Sequence, residues 1–142
     1  MISARRLLFD AKLPDREAEL LLLHVVGKDR VWLFAHGDEA IPASTVDLFW
    51  RLVEQRRAGR PIAHLTGRRA FWTMNLEVSD AVLIPRPDTE ILVEWALEIA
   101  RQTHAQALLD MGTGSGAIAL ALALELPACA VTAVDVSESA LT

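Results

Sequence analysis

Three alternate glycines in Asp110-Met111-Gly112-Thr113-Gly114-Ser115-Gly116, followed by Asp135 at the end of the next apolar run, constrain this chain more than any other feature. Leu108 and Leu109 read as the end of a buried strand, and Ala117 to Leu126 as a helix. Between them the chain must turn sharply and let a ligand approach backbone, and glycine tolerates positive φ without a Cβ in the way. The first N–H groups of the following helix have no intrahelical acceptors, so they face the loop as donors. Ala130 to Val134 reads as a second strand, with Asp135 at its carboxyl end. A carboxylate there suits the two hydroxyls of a ribose lying across a sheet edge. A glycine triplet alone says little; strand, glycines, helix, strand and acid in that order define an α/β nucleotide-type cofactor site.

Charge bears on the identity of the ligand, although an acidic half is also what a solvated acidic face would give. Gly112, Gly114 and Ala117 satisfy the dinucleotide pattern G-x-G-x-x-G/A. Asp110, however, would set a carboxylate near a pyrophosphate, and repulsion at that range in a partly dry cleft costs more than about 1 kcal/mol. S-adenosylmethionine carries a sulfonium and an ammonium and no phosphate. Residues 1–72 hold 12 basic and 9 acidic side chains, whereas residues 73–142 hold 2 and 10. The half with the loop is therefore strongly acidic, and charge complementarity favours S-adenosylmethionine over a dinucleotide.

The first sixty residues read as a helical module. Ala4, Leu7, Leu8 and Ala11 follow the spacing of one helix face. Pro14-Asp15 opens a second helix with Ala18, Leu21, Leu22 and Val25 inward and Gly27 closing it. Asp29 caps a short third helix through Phe34, and Pro42 starts a fourth with Val46, Phe49, Trp50 and Val53 on one face. Four or five short helices with brief turns make a small bundle. Trp32, Phe34, Phe49 and Trp50 are expected in its core. Arg51, Arg56, Arg57, Arg60, Arg68 and Arg69 form a basic stretch, either a solvated face or a docking surface for an acidic protein or RNA.

From residue 61 to 84 the texture changes. Phe71 to Met74 and Leu76 to Ser79 are strand-like and joined near Asn75, which predicts a hairpin or extended linker. Ile84-Pro85-Arg86-Pro87-Asp88-Thr89-Glu90 follows; its prolines keep Arg86 extended. Asp88 or Thr89 is placed to cap the next helix, with Leu92, Trp95, Ala96 and Ile99 as its inner face. The four histidines share no metal-ligand spacing, and the lone Cys129 has no internal disulfide partner. No apolar stretch is long enough to span a bilayer. These points predict a cytoplasmic protein with no metal and no membrane association.

Pro61-Ile62-Ala63-His64-Leu65-Thr66-Gly67, Phe71-Trp72, Leu83 to Glu90, Asp110 to Ala119 and Ala133-Val134-Asp135 together resemble the peptide chain release factor glutamine N5-methyltransferases, the HemK/PrmC family. The glycine loop alone resembles class I methyltransferases in general; the Ile-Pro-Arg-Pro-Asp-Thr-Glu string makes the likeness specific. The resemblance covers essentially the whole chain and implies an α/β fold: an amino-terminal helical bundle that helps seat the substrate (1–60), a hairpin linker (61–84) and the start of a Rossmann-like methyltransferase domain (85–142). The implied reaction is methylation of the glutamine of the Gly-Gly-Gln loop in class I release factors. Carried over by residue, Gly112, Thr113, Gly114, Ser115 and Gly116 would wrap the methionine part of the cofactor. Asp135 would hold the ribose hydroxyls, Asp110 would brace the loop near the ammonium, and Arg86 would border the pocket.

The family's Asn-Pro-Pro-Tyr motif is not among these residues. It matters because an amide nitrogen is a poor nucleophile, and two acceptors that hold the NH₂ in line with the methyl lower the barrier by several kcal/mol. The sequence stops at Thr142, just after the second strand, so the expectation is half a cofactor site, no catalytic residue, and no methylation by this chain alone. Val131, Val134, Leu120 and Leu124 are then expected to lack covering partners. Three rival readings remain: a nucleic-acid adenine amino-methyltransferase, a non-catalytic protein-binding module, and a dinucleotide oxidoreductase. The acidic cofactor half would repel phosphates, so no direct nucleic-acid binding is expected.

Overall fold

In the computed structural model, which describes residues 2–141, the chain falls into two compact units, one up to Thr66 and one from Gly67 onward. The first is helical: α1 (Ala4–Ala11), α2 (Asp15–Val26), α3 (Arg30–His36), α4 (Ala43–Arg57) and α5 (Ile62–Thr66). A short antiparallel bridge ties β1 (Ile2–Ser3), at its start, to β2 (Ala40–Ile41), between α3 and α4. Leu7, Leu21, Leu22, Phe49 and Val53 are fully buried, as the apolar spacing of α1, α2 and α4 requires. The caps follow the sequence: Asp29 Oδ1 accepts from the Trp32 N–H at 2.8 Å, and Gly27 ends α2 in the left-handed region.

Phe34 departs from expectation. It is 85% exposed, while Phe49 is buried and Trp32 and Trp50 pack partly buried on the core. The reason is geometric: α3 has seven residues, and successive side chains step about 100° around a helix. Trp32 and Leu33 take the inward arc, which turns Val31 and Phe34 outward.

The basic stretch is largely engaged within the units. Arg56 forms a bidentate pair with Glu17 at 2.8 and 2.9 Å, and Arg57 donates to the Ala11 carbonyl at the end of α1. Arg60 bonds Gln55, and Arg69 donates to the Pro85 carbonyl at 3.2 Å. The Arg56 guanidinium, through its hydrogen bonds above all, holds the Glu17 carboxyl below its ordinary pKa against the opposing effect of burial.

The second unit begins with a hairpin, β3 (Arg68–Phe71) and β4 (Met74–Glu77). Its turn is Trp72-Thr73 rather than near Asn75, which lies inside β4 opposite Ala70. Next come α6 (Thr89–Thr103), β5 (Ala107–Met111), α7 (Ala117–Glu125) and β6 (Ala130–Val134), with a 3₁₀ turn at Glu138–Ala140. β5 and β6 pair in parallel, with α7 as their crossover, the α/β arrangement expected of the opening of a Rossmann-like fold.

The inner face of α6 is Val93, Leu97 and Ala100, not Leu92, Trp95 and Ile99. Trp95 is 62% exposed, and Leu92 and Ile99 are exposed with it. This helix carries two adjacent apolar stripes, and the hairpin and α7 cover only one. Asp88 precedes α6 without a side-chain cap; backbone carbonyls of Arg86, Pro87 and Asp88 accept from the first N–H groups instead. Leu109, read as part of a buried strand, is 59% exposed because one face of the two-stranded sheet is uncovered. Leu120, Leu124 and Val134 are exposed as anticipated, whereas Val131 packs partly buried against the α6–α7 cluster.

Candidate functional site: the glycine loop

The loop between β5 and α7 is held by three sets of bonds. The N–H groups of Gly112 and Thr113 both donate to the Val134 carbonyl, at 2.8 and 3.0 Å, folding the loop over the end of β6. Asp110 Oδ2 accepts from the Thr113 hydroxyl at 2.7 Å and from the Ala119 N–H at 3.2 Å. Asp110 thus serves as a remote cap for α7, satisfying an orphan donor with an anion at the positive end of the helix. Both bonds use one oxygen; among the described residues no hydrogen bond to Oδ1 is found.

Asp135 makes the third tie. Its Oδ2 accepts from the Gly114 N–H at 2.8 Å and its Oδ1 from the Ser137 N–H at 2.9 Å. Hydrogen bonds from the backbone of Ser137, then Gly114 and Val136, hold this carboxyl below its ordinary pKa, against the raising effect of burial. It therefore stays ionised through neutral pH and well below. An ionised carboxylate has roughly four lone-pair sites, so these backbone bonds do not exhaust its capacity. The sequence marked Asp135 as a ligand acceptor; it carried no sign that the same carboxylate tethers the loop.

Gly112 and Gly114 have φ of +77° and +54°, a region that costs a residue with a Cβ roughly 1–2 kcal/mol. A Cβ on either would meet no atom of the chain within 4 Å, so open space lies directly before that backbone. A cavity of about 300 Å³ adjoins it, lined by Thr113, Gly114, Ser115 and Gly116 together with Ala119, Leu120, Ala123, Val131, Ala133, Ala140 and Leu141. Its volume is at the lower end of the range for small-molecule sites. Among the described residues no cationic side chain lines it. Sequence reasoning missed the wall residues, although Gly116, Leu120 and Ala123 share a helical stripe that the 3.6 period makes visible. The 3₁₀ turn that supplies Ala140 has no comparable signal.

The structure brings Asp110, Thr113, Gly114 and Asp135 into one bonded cluster, and Gly112, Ser115 and Gly116 complete the loop. Arg86 is exposed between its prolines; like Asp110, Gly112 and Asp135, it is not among the residues that line the cavity. Among the described residues, no helix is long and apolar enough to cross a membrane.

Strand, braced glycine loop, crossover helix and strand-end acid define the opening of a methyltransferase fold, and residues 87–142 match the methyltransferase small domain family. Residues 1–67 match the PrmC N-terminal domain family. Curated relatives that bear the name release factor glutamine methyltransferase include the following three. That of Xylella fastidiosa (strain 9a5c) is 52% identical over 125 residues, 88% of this chain and 46% of the relative. That of Escherichia coli (strain K12) is 49% identical over 122 residues, 86% of this chain and 44% of the relative. That of Shewanella oneidensis is 46% identical over 125 residues, 88% of this chain and 43% of the relative. The chain is similar to the release factor glutamine methyltransferases over most of its length, and it spans about half the length of the curated relatives it matches.

Proposed function

We propose that this chain provides the cofactor-binding part of an enzyme that transfers a methyl group from S-adenosylmethionine to the side-chain amide nitrogen of the glutamine in the Gly-Gly-Gln loop of class I release factors. The observation that carries the reading is the glycine loop tied at both ends by carboxylates, Asp110 to Thr113 and Ala119, Asp135 to Gly114. Two anions beside a cavity without cationic side chains suit a ligand bearing hydroxyls and positive charge, and oppose one bearing phosphates.

In this reading Gly112 to Gly116 border the methionine part, with the open space before Gly112 and Gly114 receiving it. The free lone pairs of Asp135 accept the ribose hydroxyls, and Asp110 Oδ1 faces the ammonium. Arg86 would border the pocket only in an arrangement other than the one described. When bound, S-adenosylmethionine supplies an electrophilic methyl group on its sulfonium; the residues of this chain bind and orient it and supply no catalytic residue. Residues 1–60 serve as the substrate-docking bundle, 61–84 as the linker and 85–142 as the methyltransferase domain, in a protein of the cytoplasm.

Calorimetric titration of the 142-residue polypeptide with S-adenosylmethionine and with NADH tests the cofactor. Binding of the first alone, lost or at least tenfold weaker in D135N, is the expected result. Binding of NADH, or an unaltered D135N, overturns it. Incubation with a release factor and labelled cofactor should give no methylation above a no-enzyme control, because the amide-holding motif is not among these residues. Duplex-DNA or RNA binding with a steep salt dependence would favour the adenine amino-methyltransferase reading.

A further inference from the structure

The Phe71-Trp72 pair and the Ile84-to-Glu90 string have no part in the loop itself, yet the structure binds them to one another and to α7. Trp72 occupies the β3–β4 turn with φ of +54°, a conformation that bulky residues rarely adopt and that persists only where the surroundings enforce it. Two bonds enforce it: the Trp72 backbone N–H donates to Glu90 Oε1 and its indole Nε1–H donates to Glu125 Oε1, both at 2.9 Å. Glu125 is the last residue of α7, where a carboxylate opposes the helix dipole. Its placement there calls for a donor or a positive charge; the indole supplies the first, and the Arg101 guanidinium, in an ion pair at 3.7 Å, the second.

Packing alone specifies the position of α7 poorly. Its buried side chains are Ala117, Ala119, Ala121 and Leu122. Alanines form shallow ridges, so only Leu122 and the partly buried Ile118 offer large side chains to lock the helix along its axis. Directional bonds at its two ends set its register instead: Asp110 to the Ala119 N–H at the start, and Trp72 to Glu125 at the end.

We infer that Trp72 is a positioning residue for the glycine loop: through Glu125 it fixes the axial register of α7, and with it the loop amides at the other end of the helix. The inference rests on the cofactor reading of the loop given above. It makes the β3–β4 turn part of the cofactor site without touching the ligand.

The test compares wild type with W72F, E125Q, E125L and the W72F/E125L double variant. One readout is amide hydrogen exchange by NMR in the absence of ligand; the other is S-adenosylmethionine affinity by calorimetry. In W72F and E125L, exchange at Gly114 and Ala119 should quicken about tenfold, while Val93 and Leu97 in α6 stay protected, and affinity should fall about fivefold, a small coupling by the usual standard. E125Q keeps the acceptor for the indole and should behave as wild type. The double variant should be no worse than either single one, because both remove the same bond.

Wild-type exchange in a folded W72F, equal losses in E125Q and E125L, or additive losses in the double variant would overturn the inference. If W72F does not fold, the contrast of E125Q with E125L decides. If the wild-type chain binds no S-adenosylmethionine, the cofactor reading falls, and the exchange measurements still decide whether Trp72 sets the helix register.

Discussion

The two units of this chain bury their apolar residues to different degrees. In the helical unit Leu7, Leu21, Leu22, Phe49 and Val53 are all removed from solvent. In the α/β unit Leu109, Met111, Val134, Trp95 and Ile99 remain exposed, Met111 by 75%. Both have the sequence of a core-forming segment, so the difference lies in architecture. A helix satisfies its own backbone, and a few short ones close around one another with local contacts. A parallel strand pair has two faces and two edges, and a single crossover helix covers one face. Apolar content therefore says how much surface wants covering, while the topology decides how much of it two strands and two helices can cover.

Single substitutions sharpen this contrast. The largest effect is expected from Phe49→Ala, which empties the middle of the helical core and should cost about 3–5 kcal/mol in urea denaturation followed by circular dichroism. An unaltered midpoint would mean that the helical core is not as closed as described. Gly114→Ala should destabilise the α/β unit by about 1–2 kcal/mol through its left-handed backbone, and its Cβ would project into the loop cavity. Cofactor affinity should therefore fall more than stability does, and equal losses in the two measurements would deny the loop a binding role.

Smaller effects come from charge and from the exposed face. The Glu17–Arg56 pair lowers the Glu17 pKa. Its contribution is thus complete above the ordinary glutamate value of about 4.3 and fades as pH falls through the lower folded value. Both side chains are more than a quarter exposed, so the contribution is held to about 1 kcal/mol. In E17Q that acid-side loss should vanish from the pH profile of stability; a profile parallel to wild type would show that the pair is neutral. Least of all should come from Leu109→Thr, expected to shift stability by less than about 0.5 kcal/mol while reducing binding of a hydrophobic dye to the exposed sheet face. A loss like that of Phe49→Ala would show the face to be covered in solution.

Much of this was legible in the order of residues, because it depends on contacts close in sequence. The apolar period of α1, α2 and α4, the Asp29 cap and the left-handed Gly27 are properties of single turns. So is the sequence of strand, glycines and helix around residue 114. The misplacements share a cause. Phe34, Leu92, Trp95 and Ile99 are apolar residues on helices whose apolar arc is wider than the neighbour that covers it, and which stripe wins depends on that neighbour. The hairpin turn fell at Trp72 because Glu90, eighteen residues away, holds the Trp72 amide there.

Asp110 and Asp135 show the division most plainly. That two acids flank a glycine loop, in the acidic half of the chain, is a fact of sequence. That Asp110 caps α7 is decided when the loop folds back on the first turn of that helix, and that Asp135 tethers Gly114 only when parallel pairing brings residue 135 beside residue 114. The same folding joins Trp72 to Glu125, 53 positions apart. Local geometry and charge are written along the chain; which donor meets which acceptor across tens of residues is set by the crossover that packs them together.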